Sequence, residues 1–500
     1  MAEPGSDRAA LQAILDAQRA AFVAEGPASL AVRLHRIDRL SALLLENTEA
    51  FAEATGTDFG TRSRSASLFT EIIGILPLIE HTRKHTGRWM KPTRLMPAGR
   101  LFGLRGEVRP SPLGVAGIIG PWNFPVHLVV LPAVAALAAG NRVMIKMSEI
   151  TGRTADLMAE LAPRYFDETE LAVVTGGPEV AATFAGLAFD HLFFTGSPEV
   201  GKRVQRAAAD NLVPVTLELG GKNPVVVAPG QGAADIARAG ARIATARMVN
   251  GGQVCVCPDY VLVPDQQVDR FVAAARDRLR AMFPAIIDNP DYCSSVDEPN
   301  FDRVLGLIED ARARGADVES VAPAGERLPD RGTRKIAPTL IRGVTDGMQI
   351  AEQEVFGPVL AVLGYRDLAQ AMDYINARPA PLVAYWYGPG DHAFERFVRG
   401  TRSGGVARND FAAQMIPADA PFGGVGRSGT GAYHGKAGFD AFSHYRTVVG
   451  TDLPFSLTGT AAPPFRLPMR LYADAALARA RRKARRRLNR SGDHRAGGQR

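Results

Sequence analysis

Short apolar runs alternate with longer segments of helical periodicity along most of the chain. Runs such as RVMIK (142–146) and HLFFTG (191–196) are typical of strands buried on both faces, and the segments between them repeat apolar positions every three or four residues. Alternating strands and helices form parallel sheets covered by helices. We therefore predict two successive α/β units, the second beginning at 223–230. The predicted strands are 114–119, 142–146, 171–176, 191–196, 214–219, 223–230, 260–264 and 358–365, with helices near 126–139, 152–162, 178–186, 198–210, 233–250, 266–282 and 300–314.

The two ends of the chain differ from this pattern. Residues 7–25 and 29–57 have the apolar spacing of surface helices, the second ending near Gly56 and Gly60. After residue 410 the chain becomes rich in glycine and then extended, and an Ala/Arg run predicts a basic helix at 471–488.

Charge is concentrated in the last 35 residues. The formal net charge is +7, but residues 466–500 hold twelve Lys and Arg against two acidic residues, which leaves the rest of the chain at −3. Only this tail could bind a polyanion or an anionic membrane. We favour a solvated, disordered end, with a helix lying on an anionic membrane as the alternative; nucleic acid is the least favoured partner.

The chain is expected to work in a reducing cytoplasm. Three cysteines cannot build a disulfide framework for 500 residues, and the first residues lack the basic and apolar regions of a secretion signal. The uncharged stretch 111–141 imitates a membrane span, but Pro112, Pro121, Pro125 and Pro132 would leave backbone groups unsatisfied in lipid. A buried strand, loop and helix are predicted there instead.

Two segments match nucleotide-binding patterns but lack the features that such sites require. GVGRSG (424–429) fits a dinucleotide fingerprint, yet it follows no clear strand and begins no apolar-periodic helix, so a coil with positive φ angles is the better interpretation. GSPEVGKR (196–203) resembles an ATP-binding loop, but Arg203 stands where a Ser or Thr must bind magnesium.

Three other segments carry candidate chemistry. The strand-to-helix turn from Gly196 to Gly201 presents free amides that suit a dinucleotide pyrophosphate, although many ordinary connections look the same. A carboxylate lies beside glycines in ELGGKNP (218–224), and a thiol lies beside glycines in NGGQVCVCPDY (250–260). A Glu and a Cys on different elements could serve as base and nucleophile. A lone cysteine is more often a small buried apolar residue, and no second Cys pair or His cluster supports a metal site.

Together these motifs resemble the aldehyde dehydrogenase superfamily. The matching segments, in family order over roughly residues 20–450, are PWNFP (121–125), IKMSE (145–149), FTGSPEVG (194–201), ELGGKNP, GQVCVCPDY (253–260), EQEVFGP (352–358) and PFGGVGRSGTGAYHG (421–435). Within the superfamily the chain looks most like the class 3 branch, particularly the coniferyl aldehyde dehydrogenase group, through RWMKP (88–92), NPDY (289–292), INARPAPL (375–382) and AYHGKAGFDAFSH (432–444).

The resemblance implies a covalent mechanism. Cys255, rather than Cys257, matches the nucleophile that attacks the aldehyde carbon, and the Asn123 amide with the Cys255 backbone N–H matches the pair that holds the oxyanion. Glu218 matches the residue that activates water to hydrolyse the thioester. The product is then a carboxylic acid.

The resemblance also implies a nicotinamide cofactor. An acid at the ribose hydroxyls favours NAD, while the adjacent lysine leaves NADP open. The residues that match family cofactor contacts are Trp122, Lys146, Glu149, Gly196, Ser197, Gly201, Glu354 and Phe356, and no metal is expected.

The implied architecture is an α/β fold with a Rossmann-like cofactor domain, a catalytic α/β domain and a small β bridging element that mediates oligomerisation, usually as a homodimer. The predicted boundaries are 1–99 and 113–217 for the cofactor domain, 218–410 for the catalytic domain, 100–112 and 436–455 for the bridging strands, 411–435 for a Gly-rich anchor loop and 456–500 for the basic tail.

Substrate identity is less constrained than reaction type. The sequence differs from the usual family pattern at Met147, at Val254 and over the segment 407–421. These differences do not remove a catalytic group. We expect a bulky apolar aldehyde, such as coniferyl aldehyde. The alternatives are a fatty aldehyde dehydrogenase held at a membrane surface by the tail and a non-catalytic dinucleotide-binding scaffold.

Overall fold

A computed structural model describes residues 4–454, 459, 462–465 and 467–496. The chain divides into two compact units. The larger comprises Met1–Lys91 and Pro110–Tyr445, and the smaller comprises Pro92–Arg109 and Arg446–Arg500. Parts of the predicted tail, at 456–458, 460–461, 466 and 497–500, lie outside the described residues, as does residue 455 at the end of the predicted bridging strand.

The strands and helices of the described residues follow the predicted alternation. The strands are β1 (Thr93–Leu95), β2 (Leu104–Pro112), β3 (Val115–Ile119), β4 (Arg142–Lys146), β5 (Leu171–Val174), β6 (His191–Gly196), β7 (Val215–Leu219), β8 (Pro224–Val227), β9 (Tyr260–Pro264), β10 (Asp317–Ser320), β11 (Thr339–Arg342), β12 (Val359–Tyr365), β13 (Val383–Tyr387), β14 (Gly405–Arg408), β15 (Gly429–Thr430) and β16 (Ser443–Thr451). The helices are α1 (Pro4–Glu25), α2 (Leu30–Glu46), α3 (Thr48–Phe59), α4 (Arg64–Ser67), α5 (Leu76–Trp89), α6 (His127–Ala139), α7 (Gly152–Tyr165), α8 (Pro178–Ala185), α9 (Pro198–Ala209), α10 (Ala233–Arg247), α11 (Val268–Met282), α12 (Glu298–Ala313), α13 (Gln349–Glu352), α14 (Leu368–Asn376), α15 (His392–Gly400), α16 (Gly435–Ala441) and α17 (Leu467–Ala496).

The first sheet of the larger unit has the order β15-β7-β6-β3-β4-β5. Its five longer strands are parallel, and only β15 runs antiparallel. Burial on both faces explains why these strands are continuous apolar runs in the sequence. The predicted α/β fold is confirmed.

The uncharged stretch 111–141 folds as β3, a loop and α6, all deep in the core. Asn141, at the end of this stretch, satisfies backbone hydrogen-bonding groups. Its Oδ1 accepts from Leu113 N and Gly114 N, and its Nδ2 donates to Phe442 O. The predicted buried strand, loop and helix are confirmed. Within the described residues, no helix combines the length and the apolar character that crossing a bilayer requires.

The second sheet has the order β10-β11-β12-β9-β8-β13-β14, and all its pairings are parallel except that of β10 with β11. The helix predicted at 233–250 is wrong at its end, because α10 stops at Arg247 and the chain turns into left-handed backbone at Asn250.

The amino-terminal helices cover the first sheet and bury their apolar stripes, as Leu15 and Leu44 show. The single helix predicted at 29–57 is wrong, because the chain breaks at Asn47 between α2 and α3. The Asn47 side chain donates to Leu43 O and so competes with the helical backbone pattern. Helix α3 ends at Gly60 with φ 77°, as expected.

In the smaller unit, β1, β2 and β16 form a three-stranded sheet. Helix α17 confirms the predicted basic helix at 471–488 and is longer at both ends. Its apolar side chains Leu471, Leu477 and Leu488 are all exposed.

Candidate active site

Polar groups from four strands meet at the carboxyl edge of the first sheet. Lys146 ends β4, Gly196 ends β6, Glu218 is the penultimate residue of β7, and Asn123 follows β3 by four residues. The register aligns Ile119 with Lys146, so these strand ends lie side by side. Ligands of parallel α/β sheets bind at this edge.

The second sheet contributes its amino edge. Cys255 lies five residues before β9, and Glu354 lies five residues before β12. The connection from β7 to β8 carries Asn223, whose Nδ2 donates to Cys255 O at 2.7 Å and Cys257 O at 3.0 Å. This amide fixes the backbone of the thiol loop beside the strand that bears Glu218.

Three successive residues of left-handed backbone lead to the thiol loop. Asn250, Gly251 and Gly252 have φ angles of 51°, 62° and 79°. A side chain at Gly252 would meet Gly357 O at 2.2 Å, so glycine is required there. Asn250 tolerates this backbone, and its Nδ2 donates to Asn123 O at 3.1 Å.

Cys255 is partly exposed, whereas its neighbours Val254 and Val256 are buried. Burial of the thiol, followed by the nearby Glu354 and Glu218 carboxylates, raises the pKa of Cys255 to about 12. The backbone N–H groups of Cys255 and Val256 oppose this rise by stabilising the thiolate. The thiol is therefore protonated at neutral pH and must pass its proton to a base before it can attack.

Cys257 has a different environment. Its side chain is 2% exposed, and its Sγ contacts Ala246 O at 3.5 Å and Arg247 O at 3.7 Å at the end of α10. Burial raises the pKa of this thiol to about 11. A thiol held against backbone carbonyls packs as a small core side chain.

Glu218 is buried, and neither carboxylate oxygen has a hydrogen-bond partner among the described residues. Burial raises its pKa well above the ordinary value. The carboxylate form of Glu218 is therefore a stronger base than an exposed glutamate, which suits it to accept a proton from a substrate or a nucleophile.

The Gly-rich segment packs directly beside Glu218. Gly429 pairs with Glu218 across β15 and β7 and has φ 148°, and a side chain there would meet Leu217 O at 2.3 Å. Gly426 has φ 64°. The predicted coil with positive φ angles is confirmed for 424–429, and its glycines permit close approach to the strand of Glu218.

The glycine pair of ELGGKNP lies under Glu354. A side chain at Gly220 would overlap the Glu354 carboxylate, and the Gly221 backbone N–H hydrogen-bonds to it. Burial raises the pKa of Glu354 to about 8, and Asp259 adds to the rise. Lys222 contacts Asp259, which accepts from Val355 N at 2.8 Å and so holds the Glu354 loop.

Aromatic rings connect this loop to the first sheet. Trp122 packs edge-on against Phe356 with ring centroids 5.3 Å apart, and the centroid of Phe59 lies 6.3 Å from that of Trp122. Phe356 has φ 45°, a conformation that is strained for a bulky residue. The two predicted cofactor residues Trp122 and Phe356 are therefore brought together.

The remaining predicted cofactor residues lie farther along the carboxyl edge. The Lys146 ammonium is 3.7 Å from the Glu149 carboxylate, and burial lowers its pKa. Ser197 caps α9, its Oγ accepting from Val200 N at 3.3 Å. Gly201 packs on Leu219, where a side chain would come within 2.7 Å. This helix terminus and the paired Lys146 and Glu149 suit the phosphates and ribose of a dinucleotide.

A buried ion pair lies behind Asn123, and the sequence analysis missed it. The Arg62 guanidinium lies 2.8 Å from the Glu71 carboxylate, and both side chains are 1% exposed. Arg62 also donates to Asn123 O at 3.3 Å, and Glu71 accepts from the backbone N–H of Val126 and His127 at the start of α6. No motif marks this pair, and only the fold brings it to the site.

The residues that the structure describes contain no group of three or more His, Cys, Asp and Glu that could hold a metal ion.

Comparisons with known proteins decide the family. The sequence profile of the aldehyde dehydrogenase family matches residues 2–448. The chain belongs to the aldehyde dehydrogenase family. It is 47% identical over 439 residues to the coniferyl aldehyde dehydrogenase of a Pseudomonas species, covering 88% of this chain and 90% of that protein. It is 35% identical to the dimeric NADP-preferring aldehyde dehydrogenase of Rattus norvegicus, covering 86% and 92%.

Solved structures of aldehyde dehydrogenases have the same fold. A substrate-bound Staphylococcus aureus aldehyde dehydrogenase superposes with a TM-score of 0.85 at 34% identity, covering 93% of this chain and 99% of that one. An indole-3-acetaldehyde dehydrogenase in complex with NAD+ superposes with a TM-score of 0.80 at 28% identity, covering 89% of each. The protein is therefore an NAD(P)-dependent oxidoreductase that acts on aldehydes, and the expected enzyme class is confirmed.

Proposed function

We propose that the protein oxidises coniferyl aldehyde, or another bulky apolar aldehyde, to the carboxylic acid. The observation that carries the proposal is the convergence of a partly exposed thiol, Cys255, with the Asn123 amide and the carboxyl group of Glu218, which has no partner among the described residues. Similarity to the Pseudomonas coniferyl aldehyde dehydrogenase supports this substrate class.

In the first step Cys255 gives its proton to Glu218, and the sulfur bonds to the aldehyde carbon. The carbonyl oxygen becomes an oxyanion, which the backbone N–H of Cys255 and the side chain of Asn123 stabilise. One N–H of Asn123 donates to Gln253 O at 3.2 Å, which fixes the amide and leaves its second N–H for the oxyanion.

When bound, NAD(P) supplies the hydride acceptor for this adduct. Loss of the hydride converts the carbon–sulfur adduct into a thioester on Cys255. Glu218 releases the proton that it took from the thiol to solvent and then removes a proton from water. The hydroxide attacks the thioester carbon, the carbon–sulfur bond breaks, and Glu218 returns the proton to the sulfur. The carboxylic acid leaves, and the thiol is restored.

The residues present fit either nicotinamide cofactor, with NAD preferred. Glu149 would accept from the ribose hydroxyls, and its charge disfavours a 2′-phosphate. Lys146 lies 3.7 Å away and offsets part of this repulsion. The similar rat enzyme is named as NADP-preferring, which supports use of both cofactors.

We further propose a cytoplasmic homodimer divided as the sequence predicts, with a cofactor domain (1–99 and 113–217), a catalytic domain (218–410) and bridging strands (100–112 and 436–455). The similar rat enzyme is named as dimeric. All three cysteines are free thiols, which suits a reducing compartment in which Cys255 stays active.

Trapping the intermediate tests the proposal. Glu218→Gln, which keeps the shape but removes the base, is assayed at alkaline pH, where solvent can take the thiol proton in place of Glu218. The variant should release about one reduced nicotinamide per site and stop, because no base remains to activate water. Fragmentation of the labelled peptide in the mass spectrometer should then place the acyl group on Cys255. The same label on Cys257 or on Cys293, or no label at all, would refute the assignment.

A second candidate is a fatty aldehyde dehydrogenase bound to a membrane surface, which the exposed basic helix α17 favours. Deleting residues 466–500 should abolish sedimentation with anionic vesicles at low salt but not aldehyde turnover. Unchanged sedimentation after the deletion would exclude this role for the tail.

A further inference from the structure

Two histidines near the catalytic groups, His434 buried and His127 partly buried, have buried ring nitrogens without a hydrogen-bond partner among the described residues. His434 is 5% exposed, and among the described residues neither Nδ1 nor Nε2 has a hydrogen-bond partner. Within the same part of the chain, His127 has no partner at Nε2. A buried polar atom without a partner carries a desolvation cost, so its persistence calls for an explanation.

Both rings are held in place. His127 is fixed at its other nitrogen, because Nδ1 lies 2.9 Å from Thr70 O. His434 stacks on Phe422 with ring centroids 5.2 Å apart and meets Tyr433 edge-on at 4.4 Å. The backbone of His434 has φ 74°, a strained conformation that is concentrated at functional sites.

Local chemistry defines what each nitrogen can do. A carbonyl only accepts, so Nδ1 of His127 carries the proton, and Nε2 of the neutral ring is an acceptor. Burial lowers the pKa of His127 to about 4 and that of His434 to about 3, so both rings are neutral at physiological pH. His434 then offers one donor and one acceptor.

Neighbouring residues bring the pair near the catalytic groups. His127 is on the first turn of α6, four residues after Asn123. Tyr433, which contacts the His434 ring, lies close enough to Glu218 and Cys255 for their charges to raise its pKa. The two histidines also lie close enough to each other to interact electrostatically.

We propose that His127 and His434 form a recognition pair for a hydroxyl group on the aldehyde substrate, an assignment that rests on the proposed function. The hydroxyl donates to Nε2 of His127 and accepts from the protonated nitrogen of His434. Aldehydes with a hydroxyl group, such as hydroxylated aromatic aldehydes, are therefore preferred over purely apolar ones of the same shape.

Matched substrates and matched variants test this pair. The probes are coniferyl aldehyde, its dimethoxy analogue without the free hydroxyl, and cinnamaldehyde. His127→Asn keeps a donor for Thr70 O but has no atom at the place of Nε2, whereas His127→Gln restores a polar atom there. His434→Asn is a second variant, because Asn tolerates positive φ angles.

We expect kcat/KM for coniferyl aldehyde to fall about tenfold in His127→Asn and in His434→Asn, with most of the loss in KM. The value for cinnamaldehyde should stay within about twofold, and His127→Gln should recover part of the preference. Equal losses on coniferyl aldehyde and cinnamaldehyde, or a wild type that does not discriminate against the dimethoxy analogue, would overturn the assignment.

The same assay separates this inference from the proposed function. A wild-type protein that oxidises cinnamaldehyde but ignores the hydroxyl contradicts the recognition pair alone. A wild-type protein that oxidises none of the three probes contradicts the proposed function and, with it, the pair.

Discussion

Replacing Arg62 by Met should destabilise the protein in a pH-dependent way. Arg62 and Glu71 are both 1% exposed, and their charged groups are 2.8 Å apart. Removing one partner of a buried ion pair costs about 3–5 kcal/mol, because the other charge is left without compensation. We expect this loss in the free energy of unfolding at pH 7.

The pH dependence follows from Glu71. Burial already raises its pKa, and Arg62 is the largest influence that opposes the rise. Without Arg62 the pKa of Glu71 rises further, and stability is lost as pH increases above its unfolded pKa. Lowering the pH from 7 to 5 should therefore recover up to about 2.7 kcal/mol, at roughly 1.4 kcal/mol per pH unit.

The double variant Arg62→Met/Glu71→Gln is the matched control. The introduced glutamine amide keeps an acceptor for Val126 N and His127 N but carries no charge, so most of the stability should return. Turnover should fall in both variants, because the backbone oxygen of Asn123 loses its hydrogen bond from Arg62. The loss of turnover should not exceed the roughly 10²–10³-fold cost of removing an oxyanion donor. Urea unfolding followed by tryptophan fluorescence measures the stability. Equal destabilisation of single and double variants, with no recovery at pH 5, would refute the reasoning.

Three further predictions concern single groups. His434 has a pKa of about 3 when folded and 6.5 when unfolded, so the free energy of unfolding of the wild type falls as the pH drops below 6.5. In urea unfolding, His434→Asn should lose about 1.4 kcal/mol less of this free energy per pH unit than the wild type. Glu354→Gln removes a negative charge beside Cys255, so the pKa of this thiol should fall. Alkylation of the thiol by iodoacetamide, measured by mass spectrometry in the absence of cofactor, should therefore begin at a lower pH in the variant than in the wild type. Ser197→Ala removes the cap of α9 and should cost about 1 kcal/mol of stability, which Ser197→Asn should largely preserve.

Local periodicity was enough to predict five strands of the first sheet, β3 to β7, and three of the second, β8, β9 and β12, but not β10, β11, β13, β14 or β15. Strands such as β4 and β6 are buried on both faces, so each is an unbroken apolar run, and the helices between them show their spacing plainly. The glycines of 424–429 were also recognisable as positions of positive φ, whereas the close approach of those in ELGGKNP to Glu354 was not predicted. The structure explains them through contacts with Glu354 and with the strand of Glu218.

Contacts between distant segments could not be predicted in this way. Arg62 and Glu71 are brought together by a π-helix at Leu68–Ile73, which has no distinct sequence period. His434 comes within electrostatic range of His127 because α16, which follows His434, packs on α6 across about 300 residues of chain. The candidate catalytic residues were recognised by family resemblance, whereas the groups that position them emerge from the fold.

Turnover of Cys255→Ala compared with Cys257→Ala tests the central claim most directly. The two positions lie two residues apart, and each variant shortens a CH2–SH side chain to a methyl group. Both variants are assayed with coniferyl aldehyde and NAD by the absorbance of the reduced nicotinamide. We predict that Cys255→Ala loses all thiol-dependent turnover while Cys257→Ala, although less stable, retains it. Turnover that persists in Cys255→Ala and disappears in folded Cys257→Ala would contradict the assignment of Cys255 as the nucleophile.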